Sequence, residues 1–160
     1  MITKITMITK IMNSKLCLAI SMLLLAACSS YEVGDYYSKD NVKGIVLAVD
    51  AEGTPTMLLS VDEAANLDVD SAARWVASLG DTAWHMPSKD EMAIARKSRS
   101  LINITLDHKG LPAFLKNHTF YWTSTPCSES HSYACGPNGL QCYFNSNKST
   151  HYRARAVRNL

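Results

Sequence analysis

The feature that most restricts this chain is an apolar run near its N-terminus that stops at a cysteine. The first 15 residues contain three lysines and no acidic residue, residues 16–27 are mainly apolar, and the run ends with LAAC at residues 25–28. This layout is typical of an export signal. The run covers only about 12 residues, whereas a helix that spans a bilayer needs roughly 20. We therefore predict that residues 1–27 are a signal peptide.

The sequence LAAC resembles the lipobox of bacterial lipoproteins. In that family a diacylglyceryl group is attached to the cysteine thiol, and the signal is cleaved just before the cysteine. The resemblance implies that Cys28 is lipidated and anchors the protein to the bacterial cell envelope, with residues 28–34 as a short tether. Because Ser29 rather than an aspartate follows the cysteine, the resemblance favours the outer membrane. The alternative is an ordinary cleaved signal with a chance cysteine.

Removal of the signal changes the charge balance. The whole chain has 16 basic and 14 acidic residues, and loss of the three signal lysines leaves 13 against 14, a net charge of −1 instead of +2. This balance argues against nucleic-acid binding. Residues 28–91 hold 4 basic and 12 acidic groups, while residues 92–160 hold 9 and 2. We interpret the two parts as halves of one domain, residues 35–160, that attract each other. The sequence leaves the oligomeric state open.

Three cysteines, Cys127, Cys135 and Cys142, follow the lipobox, so at most one intrachain disulfide can form among them. The turn sequence GPNG lies between Cys135 and Cys142, which favours a disulfide across a hairpin and a free thiol at Cys127. A zinc site made from these thiols and His131 is less favoured, because the spacing differs from the usual paired cysteines. We predict neither a metal nor a cofactor.

Local patterns predict an α+β fold. Turn residues separate two β-rich runs that we expect to pair as an outer N-terminal hairpin. Apolar spacing and a Ser88–Glu91 capping box predict two helices, a third short one should follow, and the aromatic C-terminal part should form small antiparallel sheets. The predicted ranges are strands 44–50 and 56–61, helices 70–80, 89–97 and 99–107, and a sheet after residue 112.

Four segments together resemble one family of bacterial surface and periplasmic domains. They are VGDYYSKDNVKGIVLAVD, AARWVASLGDTAWHMPSKDEM, FYWTST and RARAVR, which span residues 33–158. The chain is similar to Lcl C-terminal-like domains and related paralogous lipoprotein domains, with His85 where the family commonly has arginine. The resemblance implies a C-type lectin-like fold with two helices beside the outer hairpin. It also implies an exposed face of C-terminal strands and loops, and roles in recognition and adhesion.

Side-chain size and alternation give further expectations. Trp75 and Trp84 are predicted to fill the space between the helices. In the last strand Tyr152, Ala154 and Ala156 share one face, which we expect to point inward, and Arg153 and Arg155 share the outward face. Arg158 is expected to pair with an acidic residue of the N-terminal half.

Catalysis has weak support in the sequence. The chain has no nucleophile elbow, HExxH motif or phosphate-binding glycine loop. A minor alternative is an enzyme of the formylglycine-generating type that uses Cys135 and Cys142, because these enzymes share the C-type lectin fold. Glu129 is the single acidic residue among residues 121–160, and a calcium site usually needs several carboxylates. We therefore predict no calcium in that region.

The composition of residues 128–152 instead favours a binding surface. This segment is rich in Tyr, Asn, Ser, His and Gly, as are the loops with which antibodies contact their antigens. We predict that it binds a glycan or a protein, although a passive structural or assembly role in the envelope is the alternative. The predicted ligand-binding residues are Tyr133, Tyr143, Asn145, Asn147, His151, Tyr152 and Arg153.

Overall fold

The computed structural model describes residues 30–144 and 151–160, with side chains described for all of these except 142–144. Residues Tyr31–Leu160 form one compact unit. The elements in chain order are β1 (Tyr36–Lys39), β2 (Val42–Val49), β3 (Pro55–Ser60), β4 (Ala64–Leu67), α1 (Val69–Ala77), β5 (Trp84–His85), α2 (Lys89–Lys97), α3 (Arg99–His108), β6 (Tyr121–Ser128), β7 (His131–Gly136), β8 (Gly139–Phe144), β9 (Tyr152–Ala154) and β10 (Val157–Asn159). The α+β class is confirmed.

The first sheet is built on the predicted hairpin. Its strand order is β1-β2-β3-β10-β5, and every neighbouring pair in it is antiparallel. Asp40 and Asn41 connect β1 to β2 with φ values of 53° and 64°. Positive φ at both central residues is the backbone of a tight hairpin turn, and Asp and Asn tolerate it better than other residues with a side chain. Strands β2 and β3 pair as predicted, with a register shift after Val46.

All three predicted helices are present and begin close to their predicted positions. Asp68 caps α1, because its carboxylate accepts a hydrogen bond of 2.7 Å from the amide of Ser71. At α2 the Ser88 hydroxyl accepts from the amide of Glu91, while the Glu91 carboxylate accepts from the amide of Ser88. This is the predicted capping box, and it satisfies two amides that the helix itself cannot bond.

The second sheet has the order β4-β9-β6-β7-β8. Strands β6, β7 and β8 are antiparallel neighbours, but β9 runs parallel to β6. The predicted small antiparallel sheet is therefore a mixed sheet. The exception is β9, which lies on the opposite side of β6 from β7.

Two clusters of buried side chains hold the unit together. The larger contains residues of the first sheet, α2, α3 and β6, and the smaller contains Trp122 with small residues of α1, β7 and β9. Trp122 is fully buried, whereas Trp75 and Trp84 are only partly buried. In the described ranges no helix is long and apolar enough to cross a membrane.

Both ends of the described unit meet the first sheet near the start of β3. The amide of Tyr31 donates to the carbonyl of Gly53 at 2.8 Å, and the amide of Leu160 donates to the carbonyl of Thr56 at 3.0 Å. Gly34 donates to Val46 at 2.8 Å. The chain is therefore bonded to the domain from Tyr31 onward, within the segment predicted as a tether.

Candidate functional site

A cleft of about 510 Å³, here called the Trp84 cleft, lies where the β1–β2 hairpin, the end of β3 and strand β5 meet. Its volume lies in the range of small-molecule sites, roughly 300–1,000 Å³. The walls combine two aromatic rings and four aliphatic side chains with polar and charged groups. The cleft is lined by Tyr36, Asn41, Val42, Lys43, Ser60, Val61, Asp62, Leu79, Asp81, Trp84 and Leu111.

Trp84 is fixed in the cleft wall by a salt-bridged arginine. Strand β5 places Trp84 opposite Arg158 in the sheet, and the guanidinium lies 6.0 Å from the centre of the indole ring. Arg158 also forms an ion pair with Asp81, whose backbone carbonyl accepts from the amide of Trp84. The expectation that Arg158 pairs with an acidic residue of the N-terminal half is confirmed. The expectation that Trp84 fills the space between the helices is wrong, because pairing with β10 draws it to the sheet edge.

The opposite side of the cleft is supplied by the β1–β2 hairpin. Tyr36 lies under Lys109, whose ammonium nitrogen is 4.4 Å from the ring centre. Asn41 is the second residue of the positive-φ turn between β1 and β2, and Lys43 is exposed close to it in the chain. Asp62 is exposed at the end of β3, and its carboxylate has no bonded partner among the described residues. The cleft thus offers apolar ring surface and uncommitted hydrogen-bonding groups together.

A buried arginine holds the floor of the cleft. The Arg155 guanidinium is fully buried and donates to the carbonyls of Ser60 at 2.8 Å, Val61 at 3.1 Å and Pro112 at 2.7 Å. Ser60 and Val61 line the cleft, so Arg155 ties this wall to the segment that carries Leu111. The prediction that Arg155 points outward is wrong. Alternation misleads here because β9 ends at Ala154, so Arg155 lies outside the regular strand.

Glu63 supplies the charge that Arg155 needs. One carboxylate oxygen lies 3.1 Å from Arg155 Nη2 and accepts a hydrogen bond of 2.6 Å from the Tyr121 hydroxyl, and the other oxygen is paired with Arg153. Burial is the main cause that raises the pKa of Tyr121 to about 12. The Tyr121 hydroxyl therefore stays protonated at neutral pH and donates a hydrogen bond to the Glu63 carboxylate.

The predicted C-terminal face is only partly assembled by the described residues. Tyr152 packs its ring 5.0 Å from the rings of Phe120 and Trp122, so it points inward as strand alternation suggested. Arg153 is half-buried in its ion pair with Glu63, and Tyr133 lies under Lys89. The side chain of Tyr143 and all of Asn145 and Asn147 lie outside the described residues.

Three of the predicted binding residues nevertheless meet in one depression. His151, Tyr152 and Arg153 line a cavity of about 250 Å³ together with His118 and Asn66. His151 is exposed, and Asn66 and His118 both have positive φ. This depression is smaller than the Trp84 cleft, and its arginine is already engaged by Glu63. It is therefore the second candidate for ligand binding.

The cysteines are paired differently from the prediction. Cys127 takes part in a disulfide, and Cys135 is a buried free thiol, so the predicted Cys135–Cys142 disulfide is wrong. The predicted turn is present, but Gly136 pairs with Gly139 across it. That register places Cys135 opposite Leu140 and Cys142 opposite Tyr133, so Cys135 and Cys142 are not paired positions of the two strands.

The buried thiol does not suit nucleophilic chemistry. Burial raises the pKa of Cys135 to about 11, so the reactive thiolate is scarce at neutral pH. Among the described residues no three His, Cys, Asp or Glu side chains are grouped as a metal site would require. Cys28, the predicted lipidation site, lies outside the described residues.

His85, which precedes α2, contacts an acidic residue in the first turn of that helix. His85 Nε2 lies 2.9 Å from Glu91 Oε1. Burial opposes ionisation of Glu91, but hydrogen bonds from Ser88 and His85 outweigh it and lower the pKa of Glu91. The capping box and His85 therefore act together to keep the Glu91 carboxylate charged.

The Trp84 cleft was missed by sequence reasoning. One sequence feature could have indicated it. Trp84 lies among polar turn residues and does not continue the apolar spacing of either helix, so it need not belong to the core. The other wall comes from β1, β2 and β3, which lie far from Trp84 along the chain. No protein-family model matches the chain, and no curated protein matches it either.

Proposed function

We propose that this protein is a lipid-anchored, non-catalytic recognition protein of the bacterial cell envelope, most consistent with the outer membrane, and that its domain binds a saccharide in the Trp84 cleft. The cleft is the observation that carries the recognition role. The lipobox sequence at residues 25–28 supports the anchor.

The chemistry of the cleft favours a sugar over an apolar ligand. Sugar rings present apolar C–H faces and hydroxyl groups that both donate and accept hydrogen bonds. The rings of Tyr36 and Trp84 supply flat apolar area, and Asp62, Lys43 and Asn41 supply acceptors and donors at the rim. A small number of polar groups around aromatic surface is the usual composition of a specific small-molecule site.

The cleft is also held rigid before any ligand arrives. Arg155 bonds the carbonyls of Ser60 and Val61 behind it, and the Asp81–Arg158 pair fixes the wall that carries Trp84. A site whose walls are already ordered loses less conformational entropy on binding. This rigidity favours recognition over a passive structural role for the same surface.

The arrangement of elements supports the finer assignment of a C-type lectin-like fold. Helices α2 and α3 pack against the sheet that contains the β2–β3 hairpin, and the C-terminal strand β10 joins that hairpin. The two ends of the described unit approach β3 together. The resemblance of residues 33–158 to lipoprotein domains with that fold gives the second support.

A saccharide array probed with the lipidated protein is the first test, followed by titration of any bound sugar with tryptophan fluorescence as the readout. Tyr36→Ala and Asp62→Asn should each weaken binding about tenfold or more, because ring contacts and directed hydrogen bonds dominate such sites. Glu52→Gln is the matched control, because Glu52 is exposed in the β2–β3 turn outside the cleft. EDTA should leave binding unchanged.

The same experiment separates the competing sites. Loss of binding in Tyr133→Ala with full binding in Asp62→Asn would move the ligand to the C-terminal face. Absence of any saccharide binding would reject the proposed ligand and favour the passive envelope role. A clear EDTA effect would instead indicate a metal-dependent site.

A further inference from the structure

The outer side of α3 carries a small apolar stripe. Leu101 is 50 % exposed and Ile104 is 55 % exposed, and their spacing of three residues places them side by side on the helix. The opposite face of α3 is fully used, because Ile102 and Leu106 are buried in the larger core. The stripe is therefore additional apolar surface beyond what packing of the domain requires.

Basic residues are frequent in α3 and in the segments on either side of it. Between Arg96 and Lys116 the sequence has five basic residues and one acidic residue, Asp107. Lys97 and Lys109 are exposed just before and just after the helix. Arg99 and Lys116 line a shallow depression of about 390 Å³ against the first turns of α3. An apolar stripe with cations around it is the composition of a helix that lies on an anionic bilayer surface.

The chain passes the same stripe at Gly34, three residues after Tyr31, where it first bonds to the domain. The Thr105 hydroxyl donates to the carbonyl of Gly34 at 2.6 Å. A Cβ atom on Gly34 would come within 2.7 Å of the Leu101 Cβ, so only glycine allows this approach. Cys28 precedes Gly34 by six residues, which span at most about 20 Å. A lipid on Cys28 would therefore hold α3 close to the bilayer.

We propose that the α3 face, defined as Leu101 and Ile104 with Lys97 before the helix and Lys109 after it, lies on the anionic phospholipid surface of the bilayer that holds the lipid of Cys28. This orientation rests on the proposed lipidation of Cys28. The tether keeps the face within reach, the cations are attracted to phosphate groups, and the two aliphatic side chains enter the interface. The domain then has one fixed orientation on the membrane.

The test uses lipidated protein in vesicles of phosphatidylethanolamine and phosphatidylglycerol. A nitroxide label is placed at Ile104→Cys, and the matched control is a label at Ala73→Cys, an exposed position on α1. Dissolved oxygen concentrates in lipid and a water-soluble nickel complex is excluded from it. Oxygen should reach the label at position 104 better than nickel, and the opposite order should hold at position 73. Equal nickel access at both positions would overturn the orientation.

Two further measurements keep the outcome specific. Lys97→Glu, added to the Ile104→Cys protein, should lower the ratio of docked to undocked molecules about fivefold or more, and an unchanged ratio would overturn the role of charge. Mass analysis of Cys28 in the same sample separates the two proposals. A lipidated Cys28 with a water-exposed residue 104 would refute the orientation alone, whereas an unmodified Cys28 would refute the anchor as well.

Discussion

Arg155 and Glu63 form an ion pair at 3.1 Å in which the arginine side chain is completely buried and the glutamate side chain is 8 % exposed. The pair joins the end of β9 to the segment between β3 and β4, and it lies directly behind the Trp84 cleft. The architecture of the candidate site therefore depends on a charge that cannot reach water.

Glu63→Gln should destabilise the domain by about 3–5 kcal/mol, because it leaves the Arg155 cation buried without its counter-charge. Urea unfolding monitored by circular dichroism measures this as a lower midpoint with an unchanged slope. Glu52→Gln, at an exposed turn, should change the free energy of unfolding by less than about 0.5 kcal/mol. A loss below about 1 kcal/mol in Glu63→Gln would contradict the importance of the pair.

Cys135 should resist alkylation in the folded protein. Iodoacetamide requires a thiolate, and burial raises the pKa of Cys135 to about 11, so modification should stay slow at pH 9 and become fast in denaturant. Mass spectrometry of the digested, oxidised protein should find Cys127 in a disulfide and Cys135 as a thiol. A disulfide peptide that contains Cys135 would refute this assignment.

Glu91 should contribute stability that disappears in acid. Its folded-state pKa lies below the ordinary value of 4.5, so its contribution is present above about pH 4.5 and is lost as the pH falls through the folded pKa. Glu91→Gln should cost about 1 kcal/mol at pH 7, and the difference from wild type should shrink towards pH 3. Melting temperatures across this pH range test the trend, and a constant difference would contradict it.

Trp122 and Trp84 should respond to substitution in opposite ways. Trp122 is fully buried and its indole nitrogen donates to the carbonyl of Leu67 at 2.7 Å, so Trp122→Ala should cost about 3–5 kcal/mol of stability. Trp84→Phe keeps an aromatic ring in the cleft wall, so it should change the melting temperature little while it weakens saccharide binding. Calorimetry and titration of both variants measure the contrast. Equal stability losses would assign Trp84 to the core.

Cys28→Ala should abolish lipid attachment and release the protein from the membrane fraction. A single acyl chain gives only marginal membrane binding, at roughly 0.8 kcal/mol per buried CH₂, and the multiple chains of a lipoprotein make it stable. Labelling of cells with a tagged fatty acid, followed by fractionation, measures both effects. Ser29→Ala is the matched control and should retain the label. A Cys28→Ala protein that still incorporates the label would refute the lipoprotein assignment.

Local signals explain what the sequence predicted well. The Ser88–Glu91 capping box, the helix that follows it and the β2–β3 hairpin depend on residues close together in the chain. Such elements are set by side-chain and turn chemistry that a short window contains. The turn between β7 and β8 was also predicted. Because only two residues separate Gly136 from Gly139, Cys135 pairs with Leu140 and not with Cys142, which contradicts the predicted disulfide.

Distant contacts explain what the sequence did not predict. Arg155 and Glu63 are 92 positions apart, and Trp84 reaches the cleft only because β10 pairs with β5. The residues around Arg155 alternate between small and basic side chains and include no acidic residue, so nothing near it in the sequence predicts that Arg155 is buried. The one available signal was the excess of acidic residues in the first half and of basic residues in the second. The Glu63–Arg155 and Asp81–Arg158 pairs each join an acidic residue of the first half to an arginine of the second.

The approach of Tyr31 and Leu160 to the same end of β3 has a practical consequence for work with this protein. Gly53 and Thr56, the residues that receive their amides, are three positions apart. A reporter fused after Leu160 would therefore emerge close to Tyr31. The same neighbouring ends would let the unit be inserted into a surface loop of a host protein with little separation of the flanking residues.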